Sequence, residues 1–135
     1  MTTTELARSY LTKARKRLHA LEVLFKEEDY SDVVREAQET VELAEKAMLR
    51  ALGIDPPKIH DVSQILLDHS DDLPSEIRPR LSALAELSKW LRKEREISFY
   101  GDIDFIPTEE YRKEDASRAL EGAKTVVEIA SIVMK

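Results

Sequence analysis

Between Ala7 and Met134 the apolar residues return every three or four positions, with no sustained two-residue alternation and only three glycines in the chain. That period places side chains on one face of a helix, so the sequence predicts an all-α protein and excludes a sheet. A first helix follows Thr2–Thr4, any of which can cap it, and turns Ala7, Leu11, Ala14, Leu18, Leu21 and Phe25 inward. Glu27–Tyr30 is too short for anything but an antiparallel return. Asp29 or Ser31 is positioned to cap a second helix, which turns Val34, Ala37, Val41, Ala44, Met48 and Ala51 inward. Gly53 is a natural stop, and Pro56 and Pro57 forbid continuation.

A third, short helix is signalled by Asp61 with Gln64 three residues on, a capping-box pattern, and by the apolar pair Ile65 and Leu66. Asp68–Leu73 reads as a polar loop. The fourth helix begins between Ser75 and Pro79, because proline favours a first turn. Its stripe is Leu81, Leu84, Ser88, Leu91, Arg95 and Ser98, and Gly101–Pro107 breaks it. The fifth runs from about Arg112 to the end, with Ala116, Leu120, Ala123, Val127, Ala130 and Met134 inward. No internal repeat, low-complexity tract or linker divides the chain, so residues 1–135 form one domain.

Composition narrows the chemistry. Cysteine is absent, which removes a disulfide scaffold, a thiolate zinc site and a cysteine nucleophile together. No apolar run approaches the roughly 18 residues of a membrane span, and the first ten residues do not resemble a secretion signal, so a cytoplasmic location is expected. Charged residues make up 36% of the chain and asparagine is missing, a balance that suggests a thermophilic source. The net charge of −6 argues against indiscriminate binding to nucleic acid. Within it stand two basic islands, Lys13, Arg15, Lys16 and Arg17, and then Lys89, Arg92, Lys93 and Arg95. Each is a solvated helix face unless the two meet around a phosphate-bearing ligand.

Arg95 stands out because it falls on the apolar stripe of the fourth helix, where an unpaired guanidinium is costly. Either the stripe drifts and Arg95 reaches solvent, or it is held for a carboxylate or phosphate, which its fork of donors suits. Glu42 and Lys46 form a pair four residues apart that gives local support. The histidines His19, His60 and His69 do not cluster, and their spacing to carboxylates suits no metal. No glycine-rich phosphate loop or serine triad is present, and no cofactor is implied.

Three stretches in order give the chain its resemblance. Tyr30-Ser31-Asp32 opens a helix continuing through Ala37-Gln38 to Glu42 and Lys46. The break at Gly53–Lys58 is followed by Ile59-His60-Asp61. Arg92-Lys93-Glu94-Arg95-Glu96 runs into Phe99-Tyr100-Gly101-Asp102, and Phe105-Ile106-Pro107-Thr108 precedes the last helix. Together they resemble the HEPN family across nearly the whole chain. The resemblance implies an antiparallel up-and-down bundle of four to five helices, usually working as a homodimer. It also implies pairing with a minimal nucleotidyltransferase, in some cases as toxin and antitoxin.

Many HEPN proteins are metal-independent ribonucleases that use an arginine followed four to six residues later by histidine. Arg95 matches the arginine, but Tyr100 stands where the histidine belongs, and no histidine follows His69. Cleavage through the 2′-hydroxyl needs groups titrating near working pH, and a tyrosine of pKa about 10 is a poor base. The expectation is therefore a homodimeric nucleotide- or RNA-binding module, or the companion subunit of a minimal nucleotidyltransferase, and not a robust enzyme. Arg95 would anchor phosphate or a partner's carboxylate, and Arg92 would add a second positive group. Tyr100 and Asp102 would shape the pocket; His60, just ahead of the third helix, matches a histidine often found at that helix entry in the family, where it either makes an entry hydrogen bond or joins the binding site. The alternatives are a ribonuclease with Tyr100 in place of histidine and a ligand-free scaffold subunit.

Overall fold

The computed structural model describes residues 3–135, with Thr3 described in its backbone alone. Among the described residues six α-helices form: α1 (Thr3–Lys26), α2 (Tyr30–Ala51), α3 (Ser63–Asp68), α4 (Leu81–Glu94), α5 (Pro107–Glu110) and α6 (Lys113–Val133). No strand forms among the described residues. The four long helices make the bundle, and α3 and α5 are short pieces in its connections.

Side-chain contacts fix the directions. Arg15 and Glu22 of α1 meet Ser131 and Lys124 of α6, so these two helices run oppositely. Arg80, just before α4, reaches Glu128 of α6, and Trp90 of α4 lies under Arg118, so α4 and α6 are antiparallel too. Arg95 reaches Gln38 and Glu39 while Ser88 reaches Glu45, which sets α4 against α2 in the same sense. With the three-residue turn between α1 and α2, the result is an up-down-up-down bundle.

The second helix is the buried centre, packed against α1, α4 and α6. Val34, Ala37, Val41, Ala44 and Met48 are buried as the period predicts, and Val33, Ala47 and Leu49 widen the face. Ala51 is the exception: it is exposed, because the buried face shifts to Leu49 in the last turn. Leu21, Leu66, Leu81 and Leu91 complete the centre, each fully buried leucine contributing about 1.5–3 kcal/mol.

Helix ends differ more from expectation than helix faces do. Thr2 lies outside the described residues, and α1 is already helical at Thr3. Asp29 precedes α2, but neither it nor Ser31 makes a side-chain cap bond, and Glu28 takes the left-handed conformation (φ 60°) to close the turn. Gly53 ends α2 with φ +80°, as its type allows. The capping box at α3 does not form: Gln64 bonds Asp68, while Asp61 accepts from the backbone N–H and hydroxyl of Ser63. Asp68–Leu73 is not an open loop either. Ser70–Asp72 makes a 3₁₀ turn, and the Arg78 guanidinium donates to the carbonyls of Ser70, Asp71 and Leu73. Pro79 sits in a 3₁₀ turn, Arg78–Arg80, that leads into α4 at Leu81.

The α4 end matters most for function. Regular helix stops at Glu94, and the Arg95 carbonyl accepts from Arg35 Nη1 at 3.1 Å and from Ser98 Oγ at 3.2 Å. Helical hydrogen bonds then resume, Tyr100 to Glu96 and Gly101 to Ile97, until Gly101 turns the chain at φ +67°. A Cβ at Gly101 would lie 2.4 Å from the Phe105 carbonyl and 2.5 Å from the Pro107 ring, so only glycine fits. Asp102 and Phe105 pair by two backbone bonds, closing a tight loop before α5, a helix the sequence pattern does not signal.

Candidate functional site

Polar residues at Arg35, Gln38, Glu42 and Glu45 are spaced three, four and three apart, which puts them on one face of α2 beside its apolar stripe. That face looks toward α4 and the 59–61 segment. Buried polar groups must find partners there, and the partners define the site.

Arg95 is the first. Its Nη1 donates to Gln38 Oε1 and, at 2.6 Å, to Glu39 Oε1. The side chain is only 14% exposed, so the stripe does not drift outward: the guanidinium is held inward by a carboxylate of its own chain. No partner is found for Nε or Nη2 among the described residues, which leaves donors for a further acceptor. Nearby, Arg17 of the first basic island pairs with Glu36 at 3.1 Å. The two islands thus flank one stretch of α2, and each spends an arginine on one of its glutamates.

His60 is the second. The Gln38 amide nitrogen donates to the His60 carbonyl at 3.0 Å and to Glu42 Oε1 at 3.1 Å, so one amide joins Arg95 to the His60 segment. The His60 ring places Nδ1 2.8 Å from Glu42 Oε1, and Lys46 holds the other Glu42 oxygen at 3.1 Å. Burial pushes the Glu42 carboxyl up, but the hydrogen bonds from His60, Gln38 and Lys46 outweigh it and hold the pKa below its ordinary value. The Glu42–Lys46 pair read from sequence as local support is in fact part of this network.

Glu45 is the third, and it is fully buried. Ser88 Oγ lies 3.1 Å from Glu45 Oε1 and 2.8 Å from Asp61 Oδ1, which also accepts from Ser63. A serine hydroxyl has one proton and cannot donate to two carboxylates at once. The arrangement closes if Glu45 is the protonated partner, donating to Ser88, which donates to Asp61. Burial, reinforced by the Asp61 charge, pushes the Glu45 carboxyl well up and favours that state.

The remaining sequence-predicted residues lie elsewhere. Arg92 is exposed, and no hydrogen bond or ion pair joins it, Tyr100 or Asp102 to Arg95 among the described residues. Tyr100 is 75% exposed with its ring edge-on to Phe99, and the Asp102 carboxylate accepts from the Asp104 backbone. The Arg35 guanidinium lies over the Phe99 ring, 5.0 Å from its centre. The structure therefore brings Arg95 and His60 together through Gln38, and sets Tyr100 and Asp102 on an adjoining loop. Gln38, Glu39, Glu45, Asp61 and Ser88 were not singled out by sequence as site residues. The polar run at helical spacing on α2 is the signal that finds two of them, Gln38 and Glu45.

Chemically, the site offers a guanidinium already facing one carboxylate, an imidazole tied to another, and an exposed aromatic beside them. Among the described residues no three His, Asp or Glu side chains converge in a metal-holding group. No described helix is long and apolar enough to cross a membrane.

The family model described as HEPN domain matches residues 7–133. A protein of Methanocaldococcus jannaschii, named as a candidate toxin, is 29% identical over 138 aligned positions that cover 96% of this chain and 88% of the relative. No solved structure matches the chain significantly.

Proposed function

Since the chain belongs to the HEPN family, we propose that it is the stand-alone HEPN subunit of a two-protein, toxin–antitoxin-like pair, and that it binds a nucleotidyltransferase partner at the α4 end. The observation that carries this reading is the state of Arg95. A guanidinium paired with Glu39 at 2.6 Å is compensated within its own chain and is a weak anchor for free phosphate. The same pairing braces α2 against α4 and fixes the surface that follows, residues 96–110. The name of the archaeal relative supports a toxin-like role.

The protein acts in this reading as a homodimer. A groove between α4 and α6, floored by Leu84, Leu87, Val126 and Ile129 and edged by Arg118 and Glu121, offers apolar surface from two helices. A second reading, binding of a nucleotide or RNA, is favoured by the two guanidinium nitrogens of Arg95 that have no partner among the described residues and by exposed Arg92 and Lys93 beside it.

Copurification from the native host separates the two. A nucleotidyltransferase polypeptide recovered with the wild type, and not displaced by ribonuclease, supports the pair. RNA recovered in its place, and lost with Arg95→Met, supports the second reading.

A further inference from the structure

Six large apolar side chains stand exposed among the described residues, and four of them fall within eight positions: Phe99 (49%), Tyr100 (75%), Ile103 (95%) and Ile106 (48%). They share one compact loop, because Gly101 packs on Phe105 and Pro107, and Asp102 pairs with Phe105. An isoleucine left almost wholly in water gains nothing for this chain's own fold.

Within the segment that carries the four residues the charge has one sign, and the cation at its root, Arg35, lies over the Phe99 ring. Between Arg95 and Arg112 there is no lysine or arginine, while Glu96, Asp102, Asp104, Glu109 and Glu110 are all exposed. None of the five carboxylates is in an ion pair among the described residues, although Glu36, Glu39 and Glu42 close by are each neutralised. Exposed aromatic rings alone would suit stacking on bases, but unpaired carboxylates around them repel a phosphate backbone. Two copies meeting loop to loop would oppose like charges in the same way. What complements this surface is a protein segment with an apolar centre and a lysine- or arginine-rich border.

We propose that residues 96–110 form the docking surface for such a basic, apolar protein segment and not for nucleic acid. This deepens, and rests on, the reading that the α4 end receives a protein partner. The loop supplies the apolar contact and its carboxylates supply selection and steering, which makes the interaction salt-sensitive. Arg95 and Arg35 serve it by holding the loop's root: one anchors α4 to α2, and the other caps the Arg95 carbonyl and covers Phe99.

The test uses the full chain and three labelled probes: an amphipathic helical peptide of Leu and Lys, its counterpart with Glu for Lys, and an oligouridylate. Anisotropy measures affinity, and hydrogen exchange locates the contact. Ile103→Ser removes apolar surface at a position whose exposure leaves the fold untouched. The combined Asp102→Asn, Asp104→Asn and Glu109→Gln variant removes charge, and circular dichroism verifies that it stays helical. The Leu/Lys peptide is expected to bind with protection centred on 96–110, at least tenfold more weakly to either variant and more weakly at high salt. The Glu peptide and the oligouridylate are expected to leave the loop unprotected. Protection of the loop by oligouridylate overturns the proposal, as does equal binding of the Leu/Lys peptide by wild type and both variants. Conversion of a dimer to a monomer by Ile103→Ser would also overturn it, by making the loop a self-contact. A nucleotidyltransferase recovered from the host and retained by Ile103→Ser removes this surface while keeping the pair. Loop-specific peptide binding with no such partner removes the pair while keeping the surface.

Discussion

Burial pushes the Glu45 carboxyl well above its ordinary range in the folded chain, and this sets a pH dependence of definite sign. The unfolded carboxyl ionises above about 4.5, whereas the buried one stays neutral to higher pH. Between those points the unfolded state binds fewer protons than the native state, so stability falls as pH rises. Glu45→Gln removes that slope: the variant should melt higher than wild type at pH 8 and lose the advantage as the pH approaches 4.5. A melting series at four or five pH values measures it, and parallel curves for the two proteins would mean that Glu45 is ionised in the fold.

Arg95 behaves differently, because its removal strands Gln38, which is 2% exposed, and leaves Glu39 without its partner. Arg95→Met should cost about 1–3 kcal/mol in denaturant unfolding, and Arg95→Lys should recover little of it. The sequence makes Arg95 conspicuous, since a charge on an apolar stripe must be explained. It does not reveal Glu39 or Gln38, because pairing across 56 and 57 positions depends on how α4 is set against α2.

At the scale of elements, the apolar period locates the long helices and their buried faces because one side of each must leave water. Their ends follow weaker rules and were legible less often. Gly53 and Gly101 stop helices as glycine does at positive φ, but Asp61 is claimed by Ser63 and Ser88 and cannot serve a capping box with Gln64. The short α5 has four residues and no room for a period, so pattern alone cannot find it. Close approach of α4 and α6 offers a quantitative check. A Cβ at Gly122 would stand 2.6 Å from Leu87 Cδ2, so the side chain must move to admit one. Gly122→Val should destabilise by about 1–3 kcal/mol, and Leu87→Ala in that background should recover part of the loss, as chemical denaturation would show.

For the whole molecule, the family resemblance carried further than the residues alone, because the order of weak signatures spans the chain while each binding role depends on tertiary neighbours. His60 illustrates this: sequence placed it at a helix entry, and folding set it one amide away from Arg95. Abundant charge, short turns and the absence of asparagine and cysteine predict a melting temperature above the ~45–65 °C of ordinary mesophile domains, measurable by calorimetry. Without a histidine after Arg95, the purified protein should cleave no RNA under metal-free conditions. Cleavage abolished by both Arg95→Met and Tyr100→Phe would show that tyrosine has taken the histidine's part.

If this chain works as the HEPN half of a protein pair, native mass spectrometry of the complex isolated from its host will read the pair directly. The expected species holds two copies of the 15.5 kDa chain together with a nucleotidyltransferase polypeptide, at a mass unchanged by ribonuclease. A 15.5 kDa chain found alone, or bound to RNA with no second protein, would contradict it.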